Sequence, residues 1–196
     1  ADYCPNTPYG KSKVIGEELI RSSNINFPWV IVRPTSIWGP WFATPYRDFF
    51  DVIRKGLYVH PKGIRVRRSY GFIYNSIFQL SRISDRLNDE LVGKTIYLAD
   101  YHPIELKSWS ENIQKNLNIR PIREVPIQVF KIAAKLGDIL KNIGYKNPLM
   151  STFRLNNMLT PMEHNTTPLK DYCGDVPYSI DEGVRITCEW LQTHKK

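Results

Sequence analysis

The sequence predicts an α/β fold, in which strands alternate with helices along the chain. Apolar residues at helical spacing alternate with short, β-branched apolar runs that are typical of strands. The run at residues 29–32 is apolar throughout, which is typical of a strand covered on both faces of a parallel sheet. With 42% apolar and 23% charged residues among 196, the composition is that of an ordinary globular protein. We therefore expect a parallel sheet flanked by helices.

The first predicted helix covers residues 8 to about 23. Thr7 is suited to capping a helix N-terminus, and Pro8 is suited to the first helical position. We expect four apolar residues of this helix to be buried: Val14, Ile15, Leu19 and Ile20. The strand at residues 29–32 follows and ends at Arg33 and Pro34.

The later part of the chain continues this alternation. Further strands are predicted at residues 70–74, 95–99 and 123–126, and further helices at residues 45–55, 77–87, 104–117, 127–143 and 151–159. Asn75 is expected to cap the helix whose inward positions are Ile77, Phe78, Leu80, Ile83 and Leu87. Ser179 and Glu182 have the spacing of a capping box that opens a last helix. Residues 161–177 are interpreted as a loop.

The strand at residues 29–32 needs neighbours on both sides and helices on both faces. The chain offers few other long strands for that purpose. We therefore expect the rest of the sheet to lie upstream of Ala1 and interpret the sequence as a fragment, which by itself should be inactive.

Several functional classes are disfavoured by composition. Apolar runs are too short for the roughly 20 residues that cross a bilayer, and the N-terminus has no secretory signal, so neither a membrane partner nor export is predicted. The three cysteines, Cys4, Cys173 and Cys188, have no disulfide or metal pattern, which favours reduced thiols in the cytoplasm. The four histidines are not at metal-ligand spacing, and no metal site is expected.

The net charge of +8 is compatible with nucleic acid, a membrane surface or an anionic small ligand. The tight basic cluster consists of Arg65, Arg67 and Arg68. No nucleic-acid-binding motif accompanies it, so nucleic acid is not predicted as a partner. A solvated basic face and a site for a pyrophosphate both remain as interpretations.

Tyr9 and Lys13 carry the chemistry that the sequence suggests. Residues four apart on a helix share one face, so the phenol and the ammonium should lie side by side. A phenol with a pKa of about 10 is a poor base near neutrality, and a fixed cation lowers that pKa. Tyr9 could then move a proton to or from a substrate hydroxyl or carbonyl. The alternative is a surface tyrosine stacked over a lysine stem.

The surrounding residues resemble a known family. Tyr9-Gly10-Lys11-Ser12-Lys13 with Glu17 is similar to the YGxSKxxxE signature of the extended short-chain dehydrogenases/reductases, the NAD-dependent epimerase/dehydratase family. Residues 33–40, Arg-Pro-Thr-Ser-Ile-Trp-Gly-Pro, resemble its RPxxxxGP segment, and residues 68–75 resemble its arginine-then-strand segment. The resemblance spans nearly the whole chain in the correct order.

This resemblance implies a fold and a domain division. It implies the C-terminal part of a Rossmann-like, doubly wound parallel sheet, together with a small mixed α/β substrate-binding domain. Residues 1–44 would complete the dinucleotide-binding domain. Residues 45–196 would form mainly the substrate-binding domain, with segments that return to the Rossmann domain. A homodimer formed by packing helices, the Tyr9 helix among them, is also implied.

The resemblance further implies site residues for an NAD or NADP cofactor. Tyr9 is the acid/base, and Lys13 also holds the nicotinamide ribose. Pro34, Thr35 and Ser36 border the nicotinamide. Ser36 and Arg68 hold the substrate, with Arg68 clamping a diphosphate; a solvated Arg68 is the alternative.

The expected function is an NAD(P)-dependent epimerase or dehydratase that acts on a sugar nucleotide. A carbonyl reductase of the same family, or a non-catalytic binding protein that keeps the fold, are the alternatives. Four departures from the family are evident. The Gly-rich turn is missing, and so is the catalytic Ser or Thr expected about a dozen residues before Tyr9. Asn75 stands where many relatives have Asp, and the late arginine for the nucleotide is not evident; these two weaken the sugar-nucleotide assignment specifically.

Overall fold

The computed structural model describes residues 5, 7–44, 46–85, 87, 90–145, 148 and 150–194. Its helices are α1 (Pro8–Ser22), α2 (Tyr46–Arg54), α3 (Ile73–Asp85), α4 (Leu106–Asn116), α5 (Ile127–Asn142), α6 (Thr152–Leu159), α7 (Thr167–Cys173) and α8 (Ile180–Thr193). Its strands are β1 (Ile31–Pro34), β2 (Ser36–Trp38), β3 (Val59–Pro61), β4 (Arg67–Arg68), β5 (Tyr70–Phe72), β6 (Thr95–Leu98), β7 (Ile104–Glu105) and β8 (Arg123–Val125). Cys4 and Pro45 lie outside the described residues.

The strands pair mainly in parallel, as the α/β prediction requires. β1 pairs with β6, β2 with β5 and β3 with β8 in parallel register, whereas β4 and β7 are antiparallel. β1 and β6 align Ile31 with Thr95 and Pro34 with Leu98. The α/β fold class is confirmed, and β1 ends at Pro34 as predicted. Within the described residues, β1 has a ladder partner on one side only.

The largest core is aromatic and joins β2, β5, α2, α4 and α8. Trp38 packs against Phe50, Phe72 and Trp109, with ring centroids 5.1 to 6.0 Å apart. α8 contributes Val184, Cys188 and Leu191 to this core, as its predicted spacing requires. Its capping box is confirmed, since Ser179 and Glu182 each accept a backbone N–H from the other.

A second core lies between β6 and α7, and it corrects the loop predicted for residues 161–177. α7 begins just before Pro168, which suits a first helical turn, and it places Leu169 and Cys173 four residues apart on one face. Both residues are buried with Leu98 of β6. The seven residues of α7 are too few for a helical period to be recognised from the sequence alone.

The predicted burial of α1 is wrong within this chain. None of its residues is buried, and Ile15 and Leu19 are 56% and 61% exposed. α1 is joined to β1 and β6 by polar contacts of Glu17 and Arg21, which leave its apolar residues uncovered.

α3 departs from its prediction in two ways. Ile77 and Leu80 are 54% and 43% exposed, whereas Ile83 is buried. Asn75 is not the cap of α3, because the helix already begins at Ile73 directly after β5. Polar residues occupy the inner face of the helix instead, with Asn75 and Gln79 buried and hydrogen-bonded.

α5 and α6 form a third packed unit. Phe130 and Ala134 of α5 are buried against Leu155 of α6. Gly137 permits a close approach, because a Cβ at this position would lie 1.7 Å from the carbonyl oxygen of Met150. The predicted bounds of both helices are confirmed to within one residue. In the part of the chain that the structure describes, no helix is long and apolar enough to span a bilayer.

Candidate functional site

Tyr9 and Lys13 lie side by side on α1. The Nζ atom of Lys13 is 5.1 Å from the centroid of the Tyr9 ring, and Tyr9 is 72% exposed. The helix start that carries them is capped, since the Thr7 hydroxyl accepts the N–H of Gly10 at 3.0 Å. The predicted proximity of phenol and ammonium is therefore confirmed. A surface tyrosine packed on a lysine has the same geometry, so the catalytic role stays a prediction.

Glu17 and Arg33 connect α1 to β1, a link to which no role was given from the sequence. Nε and Nη2 of Arg33 each donate to one carboxylate oxygen of Glu17 at 2.7 Å, and Nη1 donates to the Tyr97 hydroxyl at 3.2 Å. The hydrogen bonds that Arg33 donates to Glu17 raise the pKa of Arg33 above its already high ordinary value. Both side chains are less than a fifth exposed. The motif residues Glu17 and Arg33 thus hold the helix that carries Tyr9 against the strand that leads to the predicted cofactor loop.

The predicted nicotinamide loop is fixed at the end of β6. The Thr35 N–H donates to the Leu98 carbonyl at 3.1 Å, and its hydroxyl donates to the same oxygen at 3.2 Å. Pro34 has no N–H. A cofactor at this loop would therefore not be bound by a backbone N–H of Pro34 or Thr35. Ser36 opens β2, directly after the fixed residue.

The two residues predicted to hold substrate, Ser36 and Arg68, line the same cavity. Its volume is about 420 Å³. The rest of its wall is mostly aromatic or aliphatic and includes Trp38, Tyr46, Phe49, Tyr58, Tyr70, Leu106, Trp109, Met158 and Met162. Arg68 is the one cation among the residues described as lining it.

Arg68 is anchored by the protein. Its Nη1 donates to the Tyr70 hydroxyl at 3.2 Å, and its Nη2 donates to the Thr160 carbonyl at 3.1 Å and to the Asn157 carbonyl. Its Nε is buried without a hydrogen-bond partner among the described residues. The interpretation of Arg68 as a solvated residue is therefore wrong. A guanidinium can hold a phosphate with two parallel bonds through Nε and Nη2 or through Nη1 and Nη2. Both pairs include Nη2, whose two hydrogens are already bonded to the Asn157 and Thr160 carbonyls.

The neighbouring arginines do not extend Arg68 into a continuous basic face. Arg67 lies 3.6 Å from Glu163 and is half exposed, whereas Arg68 points into the cavity. Between them and Arg65, Val66 is buried in the aromatic core. The three cations therefore differ in environment.

The buried Asn75 and the partly buried Asp100 form a polar pair that sequence reasoning missed. The Asn75 amide donates to Asp100 at 3.0 Å and to the Tyr178 carbonyl at 2.9 Å, and it accepts the Tyr178 N–H at 3.0 Å. Asp100 also accepts the Phe72 N–H at 3.1 Å. Burial raises the pKa of Asp100 to about 6, against the opposing effect of these hydrogen bonds. An aspartate at position 75 could not donate when ionised, which is a physical reason for asparagine here.

Residues 2–80 match the model of an NAD-binding family described as male sterility protein. Over 96% of the chain, the sequence is 23% identical to 58% of the Escherichia coli K12 protein YbjS. Over 69% of the chain, it is 27% identical to 40% of a ketoreductase of Stigmatella aurantiaca, which acts on 4-hydroxy-2-methyl-3-oxo-4-farnesyl-3,4-dihydroquinoline-1-oxide.

The fold matches that of UDP-glucuronic acid 4-epimerase from Bacillus cereus in complex with NAD, with a TM-score of 0.67 and 14% identity. The match covers 98% of this chain and 54% of the epimerase. The chain thus spans about half the length of the proteins it matches. The chain is therefore similar in fold to an NAD-dependent epimerase, and its first 80 residues are similar to an NAD-binding family.

Proposed function

We propose that the protein containing this chain is an NAD(P)-dependent enzyme that exchanges a hydride with a hydroxyl- or carbonyl-bearing carbon of a small substrate. The observation that carries the proposal is the exposed Tyr9 phenol beside the Lys13 ammonium, within the family signature. Among the described residues Lys13 forms no ion pair, so its three donors are available to ribose hydroxyls and to the phenol. The free thiols of Cys173 and Cys188 support a cytoplasmic location.

The residues of the chain divide the chemistry as follows. A bound nicotinamide supplies or accepts the hydride. Tyr9 gives a proton to the substrate oxygen, or takes one from it, as the carbon is reduced or oxidised. The positive charge of Lys13 stabilises the phenolate, and its N–H groups can donate hydrogen bonds to the ribose hydroxyls. Ser36 lies at the junction of the cofactor loop and the cavity, where it can hold the substrate oxygen.

An apolar carbonyl compound fits the Arg68 cavity better than a sugar nucleotide does. The wall is aromatic and aliphatic, and Arg68 spends both Nη2 hydrogens on carbonyls of its own chain. A diphosphate clamp would require breaking one of these bonds. The ketoreductase from Stigmatella aurantiaca, whose substrate has a farnesyl chain, supports the same class.

A sugar nucleotide is the second candidate. The observation in its favour is that Ser36 and Arg68 share one cavity, as the resemblance to sugar-nucleotide enzymes predicts. The solved epimerase of the same fold supports it as well. In this case Arg68 would have to exchange the Asn157 or Thr160 carbonyl for a phosphate oxygen on binding.

The first test is the Tyr9→Phe substitution in the complete protein, assayed with NADH and NADPH against a panel of lipophilic ketones and uridine diphosphate sugars. Removing the hydroxyl that moves the proton should lower kcat by roughly 100-fold or more with little change in KM. The matched control is Tyr145→Phe, which alters another exposed tyrosine and should leave kcat unchanged. Undiminished turnover of the Tyr9→Phe protein would overturn the role of Tyr9, whereas no turnover by either protein would favour a binding protein that keeps the fold.

Arg68→Lys separates the two substrate classes. Lysine cannot reproduce a bidentate phosphate contact. A selective rise in KM for a sugar nucleotide would support the second candidate, whereas unchanged KM for a ketone with no sugar-nucleotide turnover would support the first. Thermal melting of the variant shows whether the loss of the two carbonyl bonds has unfolded the cavity wall.

A further inference from the structure

Helix α5 is apolar on two opposite faces. Its inner face, with Phe130, Ala134 and Gly137, is buried against α6. At about 100° per residue, a second set of apolar residues lies on the opposite side. This outer stripe consists of Val129, Ile132, Leu136, Ile139, Leu140 and Ile143, each between 43% and 75% exposed.

The outer stripe has no cover within the described residues. A helix that is apolar on all sides is normally buried, and a continuous exposed apolar patch marks a docking surface. The stripe runs the length of the helix and includes Ile143 at its C-cap. Its residues therefore lack an apolar partner in the part of the chain that the structure describes.

Cations border the stripe on one flank. Lys131 and Lys135 lie next to it, and both are exposed without an ion pair among the described residues. The acidic residue of the helix, Asp138, lies on the same side, three residues after Lys135 and seven after Lys131. Its carboxylate accepts the Thr152 N–H at 3.2 and 3.3 Å and so stabilises the start of α6. Among the described residues, this border therefore carries two lysines without an ion pair and one carboxylate that already accepts a backbone N–H, so its net charge is positive.

We propose that the outer stripe of α5 docks on the surface of an anionic lipid bilayer. The helix would lie in the plane of the interface, with the apolar residues at the acyl boundary and Lys131 and Lys135 at the lipid phosphates. A second copy of the chain is the poorer occupant, because it offers the two lysines no free carboxylate on α5.

This proposal revises the expectation of no membrane partner. That expectation rested on the absence of an apolar run long enough to cross a bilayer, which is a requirement for spanning and not for surface docking. The 16-residue helix α5 lies in the interface without spanning it. The proposal does not depend on the enzymatic activity of the Tyr9 site.

The test is cosedimentation of the protein with vesicles of phosphatidylcholine alone or mixed with phosphatidylglycerol. We expect binding to the mixed vesicles, weakened by added salt, and little binding to the neutral ones. Ile132→Ser with Leu136→Ser should abolish it. Lys131→Gln with Lys135→Gln should weaken it about fivefold for each lysine, and so about 25-fold together.

Matched controls remove the same groups elsewhere. Leu19→Ser takes away an exposed leucine of α1, and Lys55→Gln with Lys115→Gln removes two exposed cations; both should bind as the unchanged protein does. Absence of binding at low salt, or equal weakening by the controls, would overturn the proposal. A dimer that sedimentation velocity detects without lipid, and that the serine variant dissociates, would assign the stripe to a second copy. If the serine variant fails to fold, the exposed lysine pair decides the question alone.

Discussion

At the scale of single residues, several motif positions turn out to carry structure as well as chemistry. In the sequence, Glu17 and Arg33 are recognisable only as positions of family motifs. In the structure they form a bidentate ion pair between α1 and β1. Asn75 looks like a helix cap in the sequence, yet it is buried in contact with Asp100. The side chain's partner, which is distant in sequence, decides each role.

Asp100 should make the stability of the protein depend on pH. Its pKa of about 6 exceeds the ordinary value of 3.8. Between these two pH values the folded state keeps a proton on Asp100 that the unfolded state has lost. This contribution to stability is complete below about pH 3.8 and is lost as the pH rises through about 6. We expect the free energy of unfolding, measured in urea, to fall over this window.

Asp100→Asn is expected to flatten that pH dependence, because the amide does not titrate. It should also lower stability at every pH, since it offers one acceptor to two buried donors, the Phe72 N–H and the Asn75 amide. Asp171→Asn, at an exposed position, is the control and should keep the original slope. An Asp100→Asn protein with an unchanged slope would contradict this assignment.

The Glu17–Arg33 pair yields a second prediction at this scale. Arg33→Lys keeps the charge but cannot keep two parallel bonds, so the free energy of unfolding should fall by about 1 to 3 kcal/mol. A double-mutant cycle with Glu17→Gln measures the coupling. The control cycle uses Arg185 and Glu189, an ion pair that is more than half exposed and should couple by only about 0.3 to 0.5 kcal/mol. Equal coupling in the two cycles would argue against a structural link between α1 and β1.

At the scale of elements, packing partners separate helices that look alike in sequence. α4 and α8 bury the stripes that their periodicity predicts, because both face the aromatic core. α1 and α5 also carry several apolar residues, yet many of these remain exposed on each helix. Periodicity shows that a face needs a partner, but it does not say whether this chain supplies it.

Two helical glycines provide a matched test of the α5–α6 packing. A Cβ at Gly137 would meet the backbone carbonyl of Met150, whereas a Cβ at Gly16 of α1 has nothing within 4 Å. Gly16→Ala should therefore stabilise the protein by about 0.5 to 1 kcal/mol. Gly137→Ala should destabilise it by about 1 to 3 kcal/mol, as overpacking does. Urea denaturation monitored by circular dichroism measures both, and a shift in the same direction for the two variants would refute the close approach.

At the scale of the whole molecule, segments distant in sequence assemble the candidate site. β6 returns to pair with β1 and fixes Thr35, while α6 and the residue that follows it supply the carbonyls that anchor Arg68. The division into residues 1–44 and 45–196 stays a prediction. It is compatible with β6 returning to the first segment.

The sequence alone determined the α/β class, most helix bounds, the capping box at Ser179 and the adjacency of Tyr9 and Lys13. These features depend on short-range periodicity and on residues within one or two turns of each other. Only the tertiary structure decided that Arg68 is anchored, that Asn75 partners Asp100 and that residues 167–173 form α7. It also decided that no described residue covers the exposed apolar side chains of α1 and α5. Each of these depends on which distant groups come within bonding distance, and local sequence patterns do not encode those distances.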